Sequence, residues 1–190
     1  VAGMIPEATW IILPSEMGAI SVDAAAIVRE EMTRAGALLV GPGFGTDDTS
    51  EAFLAKLLGR EPAPHGGIGF VHEHEAPAED KAGMPPSVWD ADGLKLLSRL
   101  PEWWRALPKG SILTPHPGEM AVLCGLPTAD IQEDRIHLAE KFASEWGHVV
   151  VLKGALTVIA GPEGDSAVVP VATPALARAG TGDVLAGLIT

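Results

Sequence analysis

The chain has one cysteine, no tyrosine and few aromatic rings of any kind. A single thiol, Cys124, closes no internal disulfide, so a reducing cytoplasm is its expected home. Cys124 sits in the helical pattern Met120-Ala121-Val122-Leu123-Cys124, which reads as a buried thiol rather than a nucleophile. Positive charge is also scarce: 13 Lys and Arg stand against 25 Asp and Glu, a formal charge of -12. That balance argues against nucleic acid as a partner, because its phosphates need a basic face. A phosphorylated small molecule remains open, since backbone N–H groups and one or two local cations can hold it. No apolar run approaches the roughly 20 residues that span a bilayer, and no signal segment is recognisable, so no membrane partner is expected.

What the sequence does hold is 47% hydrophobic residues with 22 Gly and 16 Pro in 190 residues, which suits one compact α/β domain, residues 1–190. Thr9-Trp10-Ile11-Ile12-Leu13 reads as a buried strand. Ser21 is placed to cap a helix from about Val22 to Arg34 that stops at Gly36. Ala37 to Val40 is a second strand and runs into Gly41-Pro42-Gly43-Phe44-Gly45. A helix from about Asp48 or Thr49 then carries Phe53, Leu54, Leu57 and Leu58 along one side. From Gly59 to Pro86 the pattern breaks into Gly, Pro, His and acidic residues, a long surface excursion. Its His72-Glu73-His74-Glu75 lacks a further ligand set, so a solvated loop is favoured over a metal site.

Ser87 to Asp90 resumes as a strand, and Asp92 begins a helix with Leu94, Leu96, Leu97 and Leu100. Ile112-Leu113-Thr114 is another strand, followed by helices at about Pro117 to Cys124 and Ile131 to Trp146. His148 to Lys153 is a strongly apolar strand, and Thr157–Ala160 with Ala167–Val171 reads as a hairpin. Alternating strands and helices predict a mostly parallel sheet with a late antiparallel hairpin and helices on both faces. Right-handed crossovers put the loops that follow the strands along one edge, where open α/β sheets bind ligands.

The strongest local signal is Ala179-Gly180-Thr181-Gly182-Asp183-Val184-Leu185-Ala186-Gly187. Two glycines bend the backbone just where a helix begins, and the first helical N–H groups carry the positive end of its dipole. They can cradle a transferring phosphoryl group while Asp183 takes a proton from an attacking hydroxyl. The plainer alternative is that Asp183 only caps the helix.

Together with this segment, four others occur in order: Val40 to Gly45, Asp90-Ala91-Asp92-Gly93-Leu94, Leu113-Thr114-Pro115-His116-Pro117-Gly118-Glu119-Met120, and Val151-Leu152-Lys153-Gly154-Ala155. This set resembles the ribokinase-like dehydratases acting on NAD(P)H hydrate, over nearly the whole chain apart from 59–86. The resemblance implies a ribokinase-like three-layer α/β/α fold, and an enzyme that uses ADP or ATP with Mg2+ to phosphorylate the hydrate hydroxyl. Loss of phosphate then restores NAD(P)H. It also implies that Asp183 is catalytic and, with Gly43, Gly45 and His116, contacts the hydrate. Lys153, Gly154, Ala155, Leu156 and Thr157, with Gly180, Thr181 and Gly182, would hold the nucleotide. Asp90 and Asp92 could organise magnesium or water, or be simple helix-start acids. His116 could equally be a helix N-terminal residue with no ligand, and the Gly41–Gly45 loop a plain turn.

Four departures from the family's usual pattern stand out: Leu156 where Gly is usual, Thr173 for Asn, the pair Arg178-Ala179 for a smaller, glycine-containing pair, and Lys95 for Asn. Family domains also begin before the equivalent of Val1 and continue with helices after Thr190. The resemblance therefore implies truncation at both ends, with an NAD(P)H-hydrate epimerase as a fused or separate partner; a homo-oligomer stays open. Two other readings compete. One is a ribokinase-like kinase of a vitamin precursor alcohol, which need not have the Thr114–Glu119 segment; the other is an inactive nucleotide-binding remnant.

Overall fold

The computed structural model describes residues 5–60 and 83–190. A short hairpin, β1 (Ser15–Glu16) and β2 (Ala19–Ile20), precedes helix α1 (Ala24–Met32). Strand β3 (Leu38–Val40) leads to α2 (Asp48–Leu57), whose cap is Asp47: its carboxylate accepts from the Ser50 amide at 2.9 Å. That bond is the main reason the Asp47 carboxyl is held below its ordinary value. Next come β4 (Ser87–Trp89), α3 (Asp92–Leu97), β5 (Ile112–Leu113), α4 (Pro117–Cys124), α5 (Thr128–Glu133) and α6 (Arg135–Trp146). Strands β6 (Val149–Leu152), β7 (Val158–Ala160) and β8 (Ser166–Val168) follow, then a 3-10 turn (Pro174–Leu176) and α7 (Thr181–Ile189).

The main sheet runs β3-β4-β5-β6-β7-β8, parallel from β3 to β6 and antiparallel from β6 to β8. This bears out the expected α/β architecture with its late hairpin. Register then sorts the side chains. Leu38, Val40, Trp89, Leu113, Val150, Leu152, Val158 and Ala160 fall on one face, and they join or pack on the core with Leu94, Met120, Ile131 and Phe142 from α3 to α6. By the same register Leu39, Val88, Ile112, Val149, Val151 and Ile159 fall on the other face, toward α7. The third layer of the expected sandwich is represented there by α7, among the described residues.

Several expectations need correction. Thr9–Leu13 is not a strand: it pairs with nothing in the sheet, and Ile12 is 93% exposed. Apolar content alone does not make a strand, which needs a neighbour for its backbone groups. The first helix is shorter than Val22–Arg34, starting after Asp23 and ending at a Thr33 cap, ahead of Gly36. The helix expected over Ile131–Trp146 is two helices broken at Asp134, whose φ -132° and ψ 56° are not helical. The hairpin's second strand is Ser166–Val168, and Val169 and Val171 instead line a cavity. Cys124 is half-buried, and burial pushes its thiol pKa up, as an unreactive thiol requires. The excursion's residues 61–82, His72-Glu73-His74-Glu75 included, lie outside the described residues.

Candidate active site

The site is built where the parallel strands end. β3 leaves Val40 into Gly41, whose φ of 124° brings its backbone onto the corner after β4. A Cβ on Gly41 would lie 1.9 Å from the Asp90 carbonyl oxygen, and one on Gly93 would lie 2.8 Å from that of Val40. Only glycine permits this crossing. The Asp90 amide donates to the Val40 carbonyl at 3.1 Å, and Ala91 is forced to φ 49°, ψ -123°, a strained conformation for a residue with a side chain. Strain concentrated at one corner fixes two carboxylates. Asp92 accepts from the Gly45 amide at 3.1 Å and pairs with Lys95 at 3.0 Å, which gives the unusual Lys95 a local role.

Asp90 is buried and accepts from Lys153 Nζ at 2.6 Å. A buried carboxylate needs such a partner, and so does a lysine at the end of an apolar strand. Lys153 is itself seated by its amide, which donates to the Pro115 carbonyl at 2.8 Å. Glu119 Oε2 stands 3.7 Å from the same Nζ. Glu119 also accepts from the His116 amide at 2.8 Å, and His116 Nδ1 accepts from the Gly118 and Glu119 amides at 3.0 and 3.2 Å. This reciprocal capping box puts the ring proton on Nε2, which lies 3.4 Å from Glu119 Oε1. His116 is thus a helix cap whose ring is still 54% exposed and open to a ligand.

Helix α7 opens at Gly180, in the left-handed region at φ 88°. A Cβ on Gly182 would lie 3.4 Å from Lys153 Nζ and 3.7 Å from Asp90 Oδ2, so the helix mouth faces the buried ion pair directly. Asp183, the third helical residue, is exposed, and the helix cap is Gly180; as a first-turn acid Asp183 also suits the positive end of the helix dipole. Beside this mouth lies a cavity of about 1030 Å³ whose apolar walls include Val149, Val151, Ile159 and Leu185. Its rim gathers Lys153, Gly154, Ala155, Thr157, Thr181 and Gly182, six of the eight residues expected at the nucleotide. The other two, Leu156 and Gly180, do not line it. Leu156 is left-handed at φ 59° and 49% exposed, which accounts for the family's preference for Gly there. Arg178 is exposed.

Magnesium was the remaining expectation. Asp90 is committed to Lys153, and Asp92 to Gly45 and Lys95, so the two do not converge. Among the described residues no group of three or more His, Cys, Asp and Glu could hold a metal ion. Among the described residues, Asp90 and Asp92 thus form no protein-only magnesium site; a magnesium carried on nucleotide phosphates needs only one or two carboxylates. One contributor goes beyond the sequence analysis: Glu119, although His116-Pro117-Gly118-Glu119 has the spacing of a capping box.

Residues 7–190 match the family model described as NAD(P)H-hydrate dehydratase. The chain is 38% identical over 172 residues to the bifunctional NAD(P)H-hydrate repair enzyme Nnr of Moorella thermoacetica, covering 90% of this chain and 28% of that protein. It is 38% identical over 156 residues to the ADP-dependent (S)-NAD(P)H-hydrate dehydratase of Neisseria meningitidis, covering 80% of this chain and 45% of that one. Among solved structures, the Bacillus subtilis ADP/ATP-dependent NAD(P)H-hydrate dehydratase co-crystallised with ATP/Mg2+ aligns over 99% of this chain and 55% of its own. Its TM-score is 0.64 at 27% identity. A ribokinase-like superfamily protein from Enterococcus faecalis shares the fold, with a TM-score of 0.68 at 22% identity over 99% of this chain and 54% of its own. The chain thus spans between about a quarter and just over half of the length of these relatives. By the extent of the family match and these identities, it belongs to the NAD(P)H-hydrate dehydratase family.

Proposed function

We propose that this chain carries the chemistry of a nucleotide-driven dehydration of NAD(P)H hydrate, with ADP as phosphoryl donor and ATP as its alternative. The observation that carries this reading is the convergence of six expected nucleotide residues on one cavity, with Gly182 against the Lys153–Asp90 pair. The apolar walls suit a flat base, and the rim suits its phosphates. The hydrate hydroxyl attacks the terminal phosphorus, forming a C–O–P link as the phosphoanhydride bond breaks and AMP leaves. Asp183 accepts the hydroxyl proton; the Gly182 and Asp183 amides and Lys153 face the charge that develops on the phosphoryl oxygens. The C–O bond then breaks, phosphate departs, and a proton lost from the adjacent ring carbon restores the dihydronicotinamide. The Gly43–Gly45 loop and the exposed His116 ring would seat the hydrate. An NAD(P)H-hydrate epimerase, fused or separate, fits relatives named as bifunctional repair enzymes. Asp92 would act by pinning Gly45 rather than by binding metal.

The test follows the return of reduced-nicotinamide absorbance from NADPH hydrate with ADP and magnesium. Asp183→Asn is expected to lower turnover by about 10²–10⁴-fold while ADP binding stays within about threefold. Equal rates in parent and variant would remove Asp183 from its role, and a stable phosphorylated alcohol as product would make the chain a kinase.

A further inference from the structure

We infer that Arg135 is a positioning residue of the nucleotide site, gripping the end of β6 so that the Lys153–Thr157 loop meets the phosphates in a fixed shape. The inference rests on the nucleotide reading above. Arg135 is the first residue of α6, where the helix dipole disfavours a cation. Its guanidinium nevertheless folds back beneath the loop. Nη2 donates to the Leu152 carbonyl at 3.0 Å and the Lys153 carbonyl at 3.3 Å, and Nη1 donates to Gln132 Oε1 at 2.9 Å. The Nε atom is buried with no hydrogen-bond partner.

The loop is shaped around this group. Gly154 has φ 151°, and a Cβ there would lie 3.0 to 3.3 Å from the guanidinium. Glycine is therefore favoured by the backbone conformation, and any side chain there would have to displace the cation beneath it by a few tenths of an ångström. With the carbonyls of Leu152, the last strand residue, and of Lys153 held by Arg135, Gly154 and Ala155 continue along the cavity lining. Lys153 is then fixed from two sides, by its carbonyl to Arg135 and by its amide to Pro115. Desolvation lowers the Arg135 pKa, a penalty that anionic phosphates across Gly154 would offset. A helix anchor alone needs no such adverse placement; a lysine, with one nitrogen, could not hold the carbonyls and Gln132 together through two nitrogens of one plane.

The experiment measures ADP binding by calorimetry and turnover of NADPH hydrate for the parent chain, Arg135→Gln, Arg135→Ala and Arg135→Lys. Hydrogen exchange at the Lys153 amide is read alongside. Gln and Ala are expected to weaken ADP by about tenfold and raise its KM, leaving the KM for hydrate and the saturated rate within about threefold. Lys should fall between, and added guanidinium ion should restore ADP affinity to the Ala variant but not change the parent. The Lys153 amide should exchange faster in Gln. Parent-like ADP affinity in folded Gln and Lys variants, with only the unfolding temperature lowered, would overturn the inference and leave the nucleotide reading standing. No ADP binding by the parent, with Lys153 exchange still accelerated in Gln, would instead overturn the nucleotide reading. Should Ala fail to fold, Lys keeps the stem and charge and carries the same comparison.

Discussion

Ile112 and Leu113 are neighbours in one strand and have opposite fates. Leu113 is fully buried among the helices of the core, while Ile112 lines the cavity beside α7. The same division runs across the sheet. Both faces are apolar, as strands covered on both sides must be; among the described residues the first packs against α3 to α6 and the second faces α7. Alternation carried one residue past the strand ends puts Asp90 and Lys153 on the second face, with Val88 and Val151. Packing on the first face holds the fold, while the buried ion pair belongs to the second.

This contrast can be broken by mutation. The largest effect is expected at the charges: Lys153→Met leaves Asp90 buried and unpaired, costing about 3 kcal/mol or more in denaturant unfolding. Adding Asp90→Asn to that variant should recover most of the loss; if it recovers none, the pair is not what stabilises this corner. Next, Leu113→Ala on the filled face should cost about 2–5 kcal/mol. Ile159→Ala on the cavity face, where the side chain is already 37% exposed, should cost less than about 1.5 kcal/mol. Equal losses would show that the cavity face is as tightly packed as the other. The smallest effect is on α2, far from either contrast: Asp47→Ala should cost about 1 kcal/mol without changing ADP affinity. Because Asp47's folded pKa is lowered, its contribution is complete above the ordinary value of 3.8 and fades as pH falls through the lower folded value. Acid unfolding followed by circular dichroism should show the parent losing its advantage over the variant in that window.

Much of this was legible in the chain itself. Apolar runs bounded on one side by Gly or Pro locate β3 to β6, and Pro117 to Cys124 is bounded as found because Pro at the first helical turn and Gly125 after the last are strong punctuation. Asp134 offered no such signal between helix-favouring neighbours, so α5 and α6 merged into one. Thr9–Leu13 shows the limit of hydropathy, which reports that a segment is apolar but not whether anything pairs with it. The site's members were visible as motifs; their connections were not. That Lys153 meets Asp90 across 63 positions, or that Arg135 reaches back to Leu152, depends on strand order and on where each helix starts.

The crossing of Gly41 and Gly93 has one more consequence. Two loops whose backbones touch cannot slide separately, so the Gly41–Gly45 turn and the Asp90 corner form a single stiff bracket joining the proposed seats of both reactants. A methyl group at position 41 would act as a wedge, prying that bracket apart from a point where neither reactant is expected to touch.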